Sequence, residues 1–364
     1  MQLAMLPATY LESRNTFIRL AQELGAECRS FPHDVAPDNA PPALSTDTAY
    51  LGPADAAAIV VIASGTHGVE GYAGAACQFR FMQTYAARYA NSRISWLLVH
   101  AVNPSGYAND RRVTCEGVDL NRNFIDFSKP LPASAGYGAY HHLLISNYRP
   151  LPAGLWNELR LLSCALGRKR WKSVQAAITA GQYAYPDGLF FGGRGPTTSR
   201  LVWERIVSTY THDRQRAFLL DIHSGLGKRG VGELISYLPA SSDDFRQMSG
   251  WFHGSLKSMA DGDSVSADLD GMLTAAFDRA VAGQSYAVGL EFGTRAPLVV
   301  LDALRADHWY HNNSSRLPAV VREQVRRKMK TAFTVPGAQW HDQLTARFDR
   351  VMQELAEGIA RPAV

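Results

Sequence analysis

Ala57-Ala58-Ile59-Val60-Val61-Ile62-Ala63-Ser64-Gly65-Thr66-His67-Gly68-Val69-Glu70-Gly71 passes from seven consecutive apolar residues into a polar, glycine-rich turn. A short, unbroken apolar run closed by a turn signal reads as a strand buried on both faces. Three further runs of this kind follow, at 94–102 (stopped by Asn103-Pro104), 216–222 and 286–292. Helical spacing of apolar residues predicts helices at 10–24, 74–89, 301–311, 319–332 and 343–359. Apolar strands alternating with helices predict an α/β fold with a central, mostly parallel sheet flanked by helices on both faces. Active sites of such sheets lie beyond the carboxyl ends of the strands, so the polar residues that follow each run are where chemistry is sought.

Composition narrows the classes. The chain has 364 residues, 46% hydrophobic and 19% charged, which excludes a disordered chain and supports one large domain over 1–364. The segment 128–200, rich in aromatics, Gly and Pro, breaks the alternation and reads as an elaboration forming a wall of the cleft. A Pro-rich stretch at 32–42 is expected to run over the surface. The longest apolar stretch, 56–63, is far short of the roughly 20 residues that cross a bilayer. Residues 1–6 carry no basic n-region before Pro7, so no export signal is read and a cytoplasmic location is expected. The net charge of +4 comes from 37 basic and 33 acidic residues, dispersed along the chain, which argues against a nucleic-acid partner. Four cysteines without a CxxC pair argue against a zinc ribbon or redox dithiol. No GxSxG or GxxxxGK[ST] motif occurs.

His67 and Glu70, three apart in the turn after the first strand, can face one ion, although such a pair also occurs on ordinary surfaces. His223, at the end of Phe218-Leu219-Leu220-Asp221-Ile222-His223-Ser224-Gly225, can supply a third ligand from another strand end; the alternative is a core histidine on a backbone carbonyl. Gly225-Leu226-Gly227-Lys228-Arg229-Gly230 is formally GxGxxG, but the following 231–237 reads as a strand where a dinucleotide site needs a helix.

Taken in order, His67-x-x-Glu70, Asn103-Pro104-Ser105-Gly106, Val118-Asp119-Leu120-Asn121-Arg122-Asn123-Phe124, His223 and Gly289-Leu290-Glu291-Phe292-Gly293-Thr294 resemble the zinc carboxypeptidases and their relatives, the succinylglutamate desuccinylases and aspartoacylases. The likeness is greatest to a carboxypeptidase-like bacterial branch and covers roughly residues 57–292. It implies one Zn²⁺ per chain on His67, Glu70 and His223, with water as the fourth ligand. Glu291 is then the general base, and Arg112 stabilises the oxyanion, with its neighbour Arg111 an open alternative. Arg122, helped by Asn121, grips a substrate carboxylate, and Asp119 orients a ligand histidine. The mobile tyrosine of digestive carboxypeptidases has no counterpart between Tyr237 and Tyr286; Tyr183, Tyr185 and Tyr286 stay open as substitutes. The implied substrates are small peptides or N-acyl amino acids with a free carboxylate. Two other functions are weighed: an N-acyl amino acid deacylase, and a carboxylate-binding protein without turnover.

Overall fold

The structure is a computed structural model that describes residues 6–33, 44–89, 93–133, 136–166, 168–265 and 269–360. The Pro-rich stretch at 32–42 lies almost wholly outside them. Eight strands form one sheet: β1 (Glu27–Pro32), β2 (Ser45–Leu51), β3 (Ala58–Ser64), β4 (Ile94–His100), β5 (Arg216–Gly225), β6 (Gly232–Ser236), β7 (Leu256–Ser258) and β8 (Gln284–Gly293). Their order across the sheet is β1-β2-β4-β3-β5-β8-β6-β7. The four apolar runs are the contiguous, parallel centre, β4-β3-β5-β8. Antiparallel pairings at β2 and β6 attach the flanks, giving the mixed, mostly parallel sheet the sequence predicts.

Both faces are covered, and β3 shows how. Val60 and Ile62 enter one core with Phe17, Phe81 and Phe348, while Ile59, Val61 and Ala63 enter the opposite core with Trp203, Ile206 and Phe277. Every one of these five strand residues is fully buried. Completely burying a Val or Ile side chain is worth about 1.5–3 kcal/mol, so a polar residue in this run would be costly. A third cluster joins Leu143, Leu161, Val174 and Ile178 to Val300 and Leu304, fixing the middle segment against the helix Pro297–Asn313. Among the described residues no helix is long and apolar enough to cross a membrane.

The parallel centre brings Ser64, His100, Gly225 and Gly293 to one edge of the sheet. On β5 and β8, side chains alternate between faces. The pairs Asp221 with Gly289 and His223 with Glu291 therefore share one face, and antiparallel β6 adds Glu233 and Ile235 to it.

Candidate metal centre and active site

The His67–Glu70 turn is held by backbone. Gly68 N–H donates to the Arg112 carbonyl at 3.2 Å and Val69 N–H to the Arg111 carbonyl at 2.8 Å. A Cβ on Gly68 would lie 2.1 Å from the Gly106 carbonyl carbon, so the Gly-containing turns at 68 and 106 pack backbone to backbone. Asn103 caps the second turn, accepting from Gly106 N–H at 2.9 Å. Dispersed motifs thus become one corner of the site.

His67, Glu70 and His223 are all buried, and one ligand atom of each lies within 4.8 Å of the others. His223 Nδ1 is 2.9 Å from Glu70 Oε2, and His67 Nδ1 is 3.0 Å from Glu70 Oε1. The second contact does not make a hydrogen bond, leaving His67 Nδ1 a buried polar atom without a partner. The opposite ring nitrogens face carboxylates: His67 Nε2 lies 3.1 Å from Asp119 Oδ1 and His223 Nε2 lies 2.7 Å from Asp221 Oδ2. Asp221 is held in turn by the Thr66 hydroxyl at 2.8 Å. Asp119 and Asp221 behind the imidazoles, with Arg112 Nη2 also 2.8 Å from His67 Nε2, orient the two rings so that both Nδ1 atoms point toward Glu70.

Charge makes the same point. Glu70, Asp119, Asp221 and Glu291 share this space with the guanidinium groups of Arg112 and Arg122, which leaves two negative charges unbalanced when the imidazoles are neutral. Protons take up the excess. Burial, then the nearby Glu70 charge, raises Glu291 to about 8. Burial works against a charged His223, but Asp221 and Glu70 outweigh it and raise its pKa well above the usual value. Two imidazoles, a carboxylate and an excess of two negative charges fit a divalent cation of the zinc type.

The three arginines separate by their partners. Arg111 turns away to Asp307, with Nε 3.0 Å from Oδ2, and does not line the cavity. Arg112 faces inward, donating to Glu70 Oε1 at 2.9 Å and Asp119 Oδ2 at 3.0 Å. Arg122 is buried and held by carbonyls, those of Asn121 at 2.9 Å and Thr179 at 2.6 Å. Its nearest carboxylate oxygen, on Asp119, is 4.0 Å away, and its Nε has no partner. It is the least neutralised guanidinium of the three. Gly181, at φ +99°, lies where a Cβ would come within 2.6 Å of Arg122 Cδ, so the residue there must be small. Asn121 accepts from Leu273 N–H at 3.0 Å and lines the cavity beside Arg122. Asp119 also accepts from Asn121 N–H at 3.1 Å, capping the turn Leu120–Arg122.

Glu291 accepts from Leu226 N–H at 3.0 Å and opens onto the same cavity. Leu226 belongs to the formal GxGxxG, whose three glycines all have positive φ and carry the chain from β5 to β6; no helix follows.

Two participants, Asp221 and Tyr237, were not singled out by sequence reasoning. Asp221 is hidden in an apolar run; its position two residues before His223, hence on the same face, is the signal that finds it. Tyr237 lines the cavity with its hydroxyl on Asp278 at 2.7 Å. Tyr183 instead donates to the Arg122 carbonyl, Tyr185 stacks on His141 and Tyr286 packs on Trp251; none of the three lines the cavity. Phe190, in the aromatic patch 189–193 whose sequence reads either as a cleft lining or, more simply, as plain core packing, lines the cavity at φ +55°, a rare conformation for a bulky residue. The Arg112 and Arg122 guanidinium carbons both lie 5.7 Å from its ring centroid.

A family model described as "Protein of unknown function (DUF2817)" matches residues 7–347. No curated protein matches the chain. Among solved structures, carboxypeptidase A from Helicoverpa armigera is 14% identical over 90% of this chain and 74% of its own, with a TM-score of 0.49. Bovine thrombin-activatable fibrinolysis inhibitor, in complex with tick carboxypeptidase inhibitor, is 11% identical over 96% and 98% of the two chains, with a TM-score of 0.45. Murein-tripeptide amidase MpaA from Escherichia coli O157 is 12% identical over 84% and 95%, with a TM-score of 0.35.

Proposed function

The chain belongs to the DUF2817 family, and from its own side chains we propose that it is a zinc-dependent hydrolase cleaving an amide bond next to a free carboxylate. The observation that carries this reading is the convergence of His67, Glu70 and His223 within 4.8 Å in a cavity that also contains Glu291 and Arg122. Zinc bound there supplies Lewis acidity, polarising the carbonyl and making water a nucleophile near neutral pH.

The protein's own groups divide the remaining work. Arg122 binds the substrate carboxylate with its planar fork, and the Asn121 amide group adds a donor beside it. Arg112, fixed by Glu70 and Asp119, holds positive charge where the carbonyl oxygen gains negative charge. Glu291 takes the proton of the attacking water and delivers it to the leaving amine. Asp119 and Asp221 keep His67 and His223 oriented. Ile235, Met259 and Met272 form an apolar cluster on the cavity wall, suited to an uncharged side chain on the released amino acid.

The reading has two versions, removal of a C-terminal residue from a peptide and deacylation of an N-acyl amino acid; Arg122 serves both. The test is a panel of free-acid peptides and N-acyl amino acids, assayed with the zinc-loaded protein. Turnover that stops on chelation and returns with Zn²⁺ is the expected outcome. Binding of the panel without any turnover would leave a carboxylate-binding protein on the same fold.

A further inference from the structure

A second space opens off the site. It is lined by the helices Leu155–Cys164, Arg168–Thr179 and Pro297–Asn313, with Leu161, Val174, Ile178 and Leu301 among its walls. Gln175, Thr179, Phe190, Leu226, Val300 and Leu304 line both this groove and the metal cavity, so the two adjoin. The groove, about 200 Å³ beside a metal cavity of about 140 Å³, is comparable in size to that cavity, and a substrate confined to the metal cavity leaves it unused. It shares none of Ile235, Met259 or Met272, the wall assigned to the released amino acid. It joins the cavity beside Leu226, whose N–H holds Glu291, and beside Phe190, which packs near Arg112 and Arg122. With the released amino acid assigned to the wall of Ile235, Met259 and Met272, the groove is left for the acyl side.

The groove's chemistry selects its occupant. Helix backbone is already hydrogen-bonded along its length and offers no edge to an extended peptide. The polar side chains on the walls are largely engaged within the protein. Arg305 donates to the Leu143 and Leu144 carbonyls and to Glu158; Asp302 receives Tyr148 and Lys328; the Thr179 hydroxyl donates to the Gln175 carbonyl. One Glu158 oxygen and the Gln175 amide remain, too few to satisfy the alternating donors and acceptors of a peptide. A peptide entering the groove would lose hydrogen bonds to water without replacement, whereas a methylene chain would lose none. The outer surfaces of the same helices also carry apolar residues, with Trp156 79% exposed and Leu159 and Val299 about half exposed.

Resting on the hydrolase reading above, we propose that the groove takes a medium- to long-chain aliphatic acyl group, making N-acyl amino acids with fatty acyl chains the substrate class. The cleavage is a balanced hydrolysis: water adds hydroxyl to the acyl carbon and a proton to the amine as the C–N bond breaks.

The test is kcat/KM of the zinc-loaded protein for N-acyl-leucines from acetyl to dodecanoyl, beside peptides with Leu or Phe on the acyl side. Calorimetric affinities of the same acyl-leucines for zinc-loaded Glu291→Gln provide a readout without turnover. Burial of one methylene corresponds to about fourfold. Both quantities should therefore climb about three- to fourfold per methylene until the groove is filled, with octanoyl exceeding acetyl at least 100-fold. Leu162→Trp, at a half-exposed groove position where refolding of a core is not required, should flatten the octanoyl-to-acetyl ratio. A flat series with acetyl-leucine still hydrolysed overturns this inference alone, as do peptides that match or exceed the octanoyl substrate. A steep affinity series with no hydrolysis supports the acyl groove and overturns the hydrolase reading. Neither slope nor hydrolysis overturns both.

Discussion

Glu291→Gln is expected to lower turnover by about 10²- to 10⁴-fold while metal content and folding stay near wild type, the usual contribution of a general acid–base group. Gln preserves the size of the side chain and its acceptance from Leu226 N–H, the one hydrogen bond Glu291 makes within the described residues. It removes only the capacity to take a proton. The pH profile separates this role from a structural one. Burial first, and the Glu70 charge second, place the Glu291 carboxyl at about 8. A cation on His67, Glu70 and His223 adds positive charge and brings that value down. Since a base must be deprotonated, kcat/KM should rise with pH along a limb centred below about 8, and the variant should lose that limb. Loss of zinc together with activity would make Glu291 a ligand or a structural group. Wild-type turnover with zinc retained would remove it from the chemistry.

The second large effect belongs to Arg122. Its guanidinium is buried on two carbonyls with its closest carboxylate oxygen 4.0 Å away, so an incoming carboxylate would be its strongest partner. Truncating one partner of a buried, hydrogen-bonded charge pair costs about 2–5 kcal/mol, or roughly 10²- to 10³-fold at the middle of that range. Arg122→Ala should lose that factor in kcat/KM on a free-acid substrate. Converting the substrate carboxylate to a carboxamide should cost wild type a similar factor and cost the variant little more. Equal turnover of acid and amide by wild type would rule out the anchor.

What the sequence revealed and what it concealed follow from the same physics. β3, β4, β5 and β8 were legible because strands buried on both faces must be continuously apolar. Their carboxyl ends then pointed to His67, His223 and Glu291. β2 was not legible, since Ser45, Thr46, Asp47 and Thr48 are buried through polar partners, such as Arg14 on Asp47 at 2.7 Å, rather than through hydrophobicity. β1 is an edge strand with only Phe31 buried, so it has little pattern to read. The choice between Arg111 and Arg112 depended on Asp307, 196 residues further along the chain than Arg111, which no local pattern can supply. Two of the three helices that wall the groove, Leu155–Cys164 and Arg168–Thr179, lie in the segment read as an elaboration. Their apolar residues pack on Val300 and Leu304 from the distant C-terminal part, so their role emerges only from tertiary contact.

The measurement that bears most directly on the central claim is the zinc content of the protein after saturation and exhaustive dialysis, beside that of His67→Ala. Two imidazoles and a carboxylate around one point predict one zinc per wild-type chain and no stoichiometric zinc in the variant. A wild type that retains no metal, or a His67→Ala protein that keeps one zinc per chain, would contradict the account.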